Sequence, residues 1–354
     1  MNSRERVKAS LEFQTPDRIP FEFSFTPALQ KIFEEKTGEK DPREYFGMDT
    51  RHISPLSSRK KQDFSPYLPS PLPPGTNVDE FGVAHVPGDY YHFTSLIHPL
   101  ENLKKPEELE NYPFPDLGED YRYVGLKDKV KEYQEKGYFV VGAVGHIFEI
   151  AWEMRGMERF FMDLIENPEF VDTLLEKITR IQEKNAEKMA LTGVDMIVLG
   201  DDIGMQDRML MSPDTWREWL KPRLKRVIES AQKANPEVYI FYHSDGDIRP
   251  VIADLIEVGV QILNPVQPEC MDPEEIRKIY GKNLVLWGTI GTQSTMPFGT
   301  PEEIKKLIRE RALKLGKEGG LFLAPTHVLE PEVPWENILA FVEGIQETRR
   351  ILAS

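Results

Sequence analysis

Short runs of aliphatic and β-branched residues alternate with long amphipathic segments along most of the 354-residue chain. Six runs stand out: Tyr138–Ala143, Asp195–Leu199, Val238–Tyr242, Val260–Leu263, Leu284–Trp287 and Gly320–Ala324. They are apolar at consecutive positions, the pattern of strands covered on both faces in a parallel sheet. Between them a helical period predicts helices over about Met157–Leu191, Pro213–Ala234, Ile248–Val258, Pro273–Tyr280, Pro301–Lys317 and Pro334–Leu352. Ser212-Pro213-Asp214, Asp272-Pro273-Glu274-Glu275 and Thr300-Pro301-Glu302-Glu303 mark three of the starts. Each sets a capping side chain before a proline at the first helical position and an acid in the first turn.

Upstream, Ile19–Phe25 and Tyr45–Ile53 supply two more strands, for a total of eight. Eight parallel strands with intervening helices predict an α/β fold, a (β/α)8 TIM barrel forming one domain over residues 1–354. An insertion after the second strand, about residues 55–115, is expected to form a flap. It holds the Pro-rich FSPYLPSPLPPG and a hairpin-like Asp79–Phe93 with its turn at Pro87-Gly88-Asp89. Tyr67, Tyr90, Tyr91 and His92 suit it either to cover a barrel mouth or dock a partner, or to an inert surface excursion.

Charge narrows the partners. With 44 Lys and Arg against 59 Asp and Glu, a formal net charge of −15, the surface should repel phosphate backbones, so no nucleic-acid partner is expected. No apolar run approaches the roughly 20 residues of a bilayer span. The opening MNSRERVKASLEFQ has no apolar stretch after its charges, so we expect a cytoplasmic protein without a membrane partner. The single cysteine, Cys270, excludes an internal disulfide and any site needing two thiolates from one chain.

In such a barrel the chemistry sits on the loops after the strands. Those loops carry His146 and Glu149, then Asp201 and Asp202, then His243, Asp245 and Asp247. Asn264 and Gln267 follow, then Thr289 and Gln293, and last Thr326, His327 and Glu330. Asp and Asn at strand ends also serve as helix caps, and a lone His there is often only a polar rim residue. Two histidines at strand ends with acids beside them, His243 and His327, point further, to a functional site.

The segments GDDIGMQDRMLMSPDTWREWLKPRLKRVIE, FYHSDGDIRPVIADLIEVGVQILNPVQP, LVLWGTIGTQSTMPFGTPEEI and GGLFLAPTHVLEPEVPWENILAFVE occur in this order. Together they resemble the uroporphyrinogen decarboxylase superfamily, strongly over about residues 138–352. The resemblance implies a (β/α)8 barrel and one of two chemistries: cofactor-free porphyrinogen decarboxylation, or zinc-dependent methyl transfer with corrinoid proteins, thiols or related carriers. APTHVLEP, with His327, and MLMSP, with Ser212, match the decarboxylases. However, FEFSFTPALQ stands where their arginine-rich MRQAGRY segment belongs, without an arginine and with the acidic Glu22. Trp152 falls on their tyrosine. A polycarboxylate would therefore lose its bidentate clamp.

The methyltransferases typically hold zinc with a His-x-Cys pair and a later Cys. That pattern falls here on His243, Asp245 and His327, while Cys270 matches none of its positions and is read as a structural thiol. The resemblance thus implies a Zn²⁺ site of His243, Asp245 and His327, a ligand set that leaves a fourth position open. Exchanging two thiolates for one carboxylate and one imidazole leaves the metal harder and more positive. It favours polarising an oxygen or nitrogen leaving group. The implied reaction moves a methyl group from a small O- or N-methylated donor to a corrinoid protein or related acceptor. Any cobamide would come on a separate corrinoid protein, since the chain has no DxHxxG signature. Glu149, Asp202 and Glu330 are candidates for a fourth ligand or a general acid. Asn264 and Gln267 are candidates to hydrogen-bond substrate, and Phe23 and Trp152, with Phe21 and Phe25, to line an apolar pocket. A uroporphyrinogen decarboxylase-type carboxy-lyase and a non-catalytic binding barrel remain the alternatives.

Overall fold

A computed structural model describes residues 1–88 and 95–353. Its centre is a parallel sheet of seven strands: β1 Thr50–Ile53, β2 Phe139–Gly145, β3 Met196–Gly200, β4 Tyr239–His243, β5 Ile262–Asn264, β6 Val285–Ile290 and β7 Leu321–Pro325. Neighbours in the sheet are neighbours in sequence, with helices in the crossovers. All six strands expected downstream of residue 138 are present, each displaced by one to three residues toward its C-terminus. Among the described residues no helix is long and apolar enough to cross a membrane.

The two upstream strands depart from expectation. Tyr45 and Phe46 end a short helix, Pro42–Phe46, which Asp41 caps and Gly47 stops with its left-handed φ of 67°. The strand starts only at Thr50, because the Asp-Pro start signal outweighs the apolar Tyr-Phe pair. Residues 19–25 form no continuous strand. They make two isolated parallel bridges, Phe21 with Leu323 of β7 and Phe25 with Leu329. On the other side the Asp49 amide donates to the Phe21 carbonyl at 3.2 Å. Pro20 has no amide to offer, and the Phe21 amide goes to the Asp49 carboxylate at 2.9 Å, so a regular ladder cannot form.

Prolines also divide two expected helices. Met157–Glu166 and Pro168–Leu191 meet at Asn167, and Pro213–Trp219 and Lys221–Ala234 meet at Leu220. Alternation along the strands separates the core into two layers. Phe139, Met196, Phe241, Ile262, Trp287 and Phe322 pack together on one face, while Val140, Ile197, Ile240, Leu263 and Leu286 meet the helices on the other. Trp287 and Phe322 stack with ring centres 3.4 Å apart.

The insertion carries a three-stranded antiparallel sheet of Asn77–Val78, Ala84–Val86 and Ser95–Ile97. Its first reversal lies at Asp79–Val83, where the Asp79 amide donates to the Val83 carbonyl at 3.0 Å. The turn expected at Pro87-Gly88-Asp89 falls partly outside the described residues, as do Tyr90, Tyr91 and His92. Tyr67 packs inside the insertion against Tyr112. The insertion is tied to the helix after β2 by His98 Nδ1 on the Glu153 carbonyl at 2.6 Å and by the Leu100 amide on the Met154 carbonyl at 2.9 Å.

Asp49, just before β1, has no exposure to solvent. It accepts from Arg6 Nη1 and Arg18 Nη1, both at 2.7 Å, and from the Phe21 amide. One carboxylate thereby joins the first helix (Ser3–Leu11), the 19–25 segment and β1. Removing it strands the buried guanidinium of Arg18 and leaves Arg6 with Asp17 alone. Asp49→Ala is expected to cost about 3–5 kcal/mol in urea unfolding. Asp49→Asn, which still accepts the Phe21 amide, should cost less. A loss below about 1 kcal/mol for Asp49→Ala would show that Asp49 is not the tie described.

Candidate metal and substrate site

Glycines bring the ends of β3 and β4 together. Gly200 pairs in register with His243, and a Cβ on Gly200 would sit 2.5 Å from the His243 carbonyl. Gly204 lies equally close against the backbone of Asp245–Asp247. The approach places Asp202, His243 and Asp245 so that one potential ligand atom of each lies within 4.8 Å of the others. His243 Nε2 is 3.5 Å from Asp202 Oδ1 and 3.9 Å from Asp245 Oδ1. The Asp245 amide donates to Asp202 Oδ1 at 2.8 Å.

His243 is oriented from behind. Its Nδ1 meets Asn264 Oδ1 at 2.6 Å, and Asn264 Nδ2 donates to the Trp287 carbonyl at 3.3 Å. With the amide so assigned, Nδ1 carries the proton and Nε2 turns a lone pair toward the two acids. Asp245 Oδ1 is buried with no hydrogen-bond partner. Burial, followed by the Asp202 charge, pushes the Asp245 carboxyl above its ordinary value, against the pull of His243 and His327.

His327 acts on Asp245 electrostatically. It lies two residues beyond β7, lines the same pocket as His243, and is not among the three residues clustered within 4.8 Å. Asp202, expected as a fourth ligand or general acid, lies beside His243 and Asp245, because the β3 and β4 loops pack directly on each other.

A second cluster lies one strand away. His146 Nδ1 is 2.7 Å from both Glu149 Oε2 and the Gly200 carbonyl. Asp201 Oδ1 accepts the amides of Ile147 and Glu149 at 3.0 Å, and Glu149 Oε2 accepts the Asp202 amide at 3.1 Å. Glu149 thus holds the loop that presents Asp202. Burial pushes the Asp201 carboxyl up to about 7. Burial alone would lower His146, but the Glu149 hydrogen bond and charge outweigh it and raise it to about 9.

His243, His327, Asn264 and Phe23 line a pocket of about 290 Å³ whose apolar wall includes Phe241 and Trp287. Gln267 is turned away. Its Oε1 accepts the Gly246 amide at 2.7 Å and the Cys270 thiol at 3.5 Å, so it shapes the β4 loop, and Cys270 is half-buried in that packing. Trp152 packs against the core, and neither it nor Glu330 lines the pocket.

Glu22, seen in the sequence only as a negative charge, lines the pocket with two residues that carried no signal there, His52 and Arg43. Glu22 Oε2 meets His52 Nε2 at 2.7 Å and also accepts the Thr50 hydroxyl. Burial opposes ionisation of Glu22, but His52, Thr50 and Arg43 together keep its carboxyl below the ordinary value. The negative charge expected of Glu22 is therefore compensated, and a guanidinium absent from FEFSFTPALQ arrives from the 42–46 helix.

A family model described as uroporphyrinogen decarboxylase (URO-D) matches residues 92–348. The chain belongs to the URO-D family. Among its relatives, a methylcobamide:CoM methyltransferase of Methanosarcina barkeri is 26% identical over 247 residues, 68% of this chain and 69% of that protein. The chloroplastic uroporphyrinogen decarboxylase 2 of Oryza sativa subsp. japonica is 21% identical over 276 residues, 71% of this chain and 68% of that one. A solved structure of a methyltransferase from Methanosarcina mazei has this fold, with a TM-score of 0.68 at 21% identity over 98% of this chain and 99% of that chain. URO-D relatives of both chemistries therefore share the frame on which this site is built.

The His146–Glu149 pair gives this URO-D protein a pH-dependent corner. With its folded value near 9 against an ordinary 6.5, protonated His146 contributes its full stability below about pH 6.5 and loses it as pH rises through 9. The melting temperature is expected to fall over that window, and His146→Asn should flatten the fall. An unchanged slope in the variant would dissociate His146 from it.

Proposed function

We propose that this URO-D family protein is a zinc-dependent methyltransferase. It would move a methyl group from a small O- or N-methylated donor to a corrinoid protein or a related acceptor. In this reading residues 19–25 close the seven-stranded sheet into an eight-stave (β/α)8 barrel, and the insertion acts as a flap. The observation that carries the proposal is the open geometry of one His–acid group. Glu22–His52 and His146–Glu149 are close pairs at 2.7 Å, whereas His243 stands 3.5 and 3.9 Å from its two acids with a buried oxygen of Asp245 unpaired. Such a buried carboxylate oxygen needs a partner, and a cation suits it.

The donors fit zinc, which accepts imidazole nitrogen and carboxylate oxygen. His243 Nε2 and the carboxylates of Asp245 and Asp202 would hold it, with His327 completing the set. If Asp202 binds, two carboxylates bring a divalent ion to formal neutrality. The residual positive charge inferred for a His243, Asp245 and His327 site is then lost, and only the harder, oxygen-rich character remains. When bound, the metal supplies Lewis acidity toward the oxygen or nitrogen that loses the methyl group.

The chain's own residues do the rest. Asn264 keeps the proton on His243 Nδ1, and Glu149 fixes the Asp202 loop. As the methyl carbon passes to the nucleophile, the leaving oxygen or nitrogen keeps the bonding pair and takes up a proton. His52 is the pocket residue suited to deliver it from Nδ1, since Nε2 is anchored on Glu22. Phe23, Phe241 and Trp287 limit water around the reacting carbon. A carboxy-lyase reading draws on the decarboxylase relatives and on Arg43, but one guanidinium is a poor match for a substrate bearing many carboxylates.

Protein purified without chelator is expected to carry about one zinc per chain, with His243→Ala and Asp245→Ala emptying the site and Asn264→Ala weakening affinity about 10–100-fold. Elemental analysis reads this directly. Methylation of cob(I)alamin from a panel of small methyl ethers and methylamines, followed by absorbance, tests the reaction. A protein that binds no transition metal and turns over unchanged in chelator would refute the zinc assignment.

A further inference from the structure

Arg43 is the unexplained charge of the pocket. It enters from the Pro42–Phe46 helix and lines the same cavity as His243 and His327. Its Nε is buried without a hydrogen-bond partner, and no ion pair engages its guanidinium among the described residues. Arg18 and Arg122 share the unpartnered Nε, but the framework arginines differ in having acid partners. Arg6 and Arg18 meet Asp49, Arg122 meets Glu80, and Arg155 meets Asp163. Glu22 feels the charge of Arg43, but its Oε2 is taken by His52 and Thr50, so the guanidinium is not consumed. In a protein with a net charge of −15, an unpaired and partly buried cation at the pocket wall leaves room for an anion from outside the chain.

The rest of the wall limits what that anion is part of. Phe23, Phe241 and Trp287 present aromatic surface, and Trp287 is held in place by its stack on Phe322. A pocket of about 290 Å³ has room for one ring with small substituents. The planar fork of arginine matches a carboxylate in two parallel hydrogen bonds.

We propose that the pocket selects a small aromatic methyl donor bearing a carboxylate, which Arg43 binds while the methylated heteroatom lies toward His243. The inference rests on the methyl-transfer reading for the word donor. The binding claim stands on Arg43 and the aromatic wall. Arg43 is a substrate-binding residue here and takes no part in proton or methyl movement.

Binding alone therefore tests it, apart from turnover. Purified holoprotein is titrated calorimetrically with 3-methoxybenzoate and with its neutral analogue 3-methoxybenzamide. The wild type is expected to prefer the acid by about tenfold or more, and Arg43→Gln to lose that preference while keeping its affinity for the amide. Arg43→Lys, which keeps the charge but not the fork, should retain part of the preference, and thermal melting confirms that both variants fold. Equal wild-type affinity for the two probes, an undiminished preference in Arg43→Gln, or no binding of either probe at millimolar concentration would overturn the proposal. An Arg43-dependent preference without methylation of cob(I)alamin would leave the binding inference standing and count against the methyl-transfer reading.

Discussion

A carboxylate buried without access to water organises this protein from the N-terminal end of its sheet. Asp49 has two guanidinium partners and a backbone amide, each from a different part of the first fifty residues. Its charge is tolerable only while all of them stay in place. Residues 19–25 touch β7 at Phe21 and accept the Asp49 amide on the other side, with two bridges and little ladder to hold them. Asp49 supplies what the ladder lacks. Through that segment Glu22 and Phe23 reach the pocket, so the tie at the base and the chemistry at the opposite end belong to one piece of chain.

At the C-terminal ends of the strands the governing constraint is electrostatic. Three histidines meet acids there, and the protein treats them differently. Glu22 with His52 and Glu149 with His146 are close pairs at 2.7 Å that fix loops. His243 faces Asp202 and Asp245 without closing on either. The distinction depends on backbone as much as on side chains. Glycines at 200 and 204 let two loops touch, and Asn264 turns the imidazole so that its lone pair faces the acids.

Much of this was legible along the chain. Continuous apolar runs located the strands from β2 onward, because a buried parallel strand has no polar face to blur the pattern. His243, Asp245 and Asn264 were visible as polar residues at strand ends. Asp202 was visible too, but its place beside His243 and Asp245 was not, since it comes from the contact between two loops distant in sequence. Glu22 was visible only as a negative charge, and its meeting with His52 and Arg43 gave no warning. They sit on an irregular segment, a strand of four residues and a helix of five, where periodicity carries no information.

The amino-acid sequence by itself determined the alternation of strand and helix, the family, the lack of paired thiolates and the set of acids and histidines available to the strand ends. Those are properties of local pattern and composition, which act over a few residues at a time. Only the tertiary structure decided which acid meets which histidine, that one group stays open while two close, that Gln267 and Trp152 turn away from the pocket, and that an unpaired arginine arrives on its wall. Such outcomes depend on ångström-scale approach between segments far apart in the chain, and charge–charge energies change steeply over that distance.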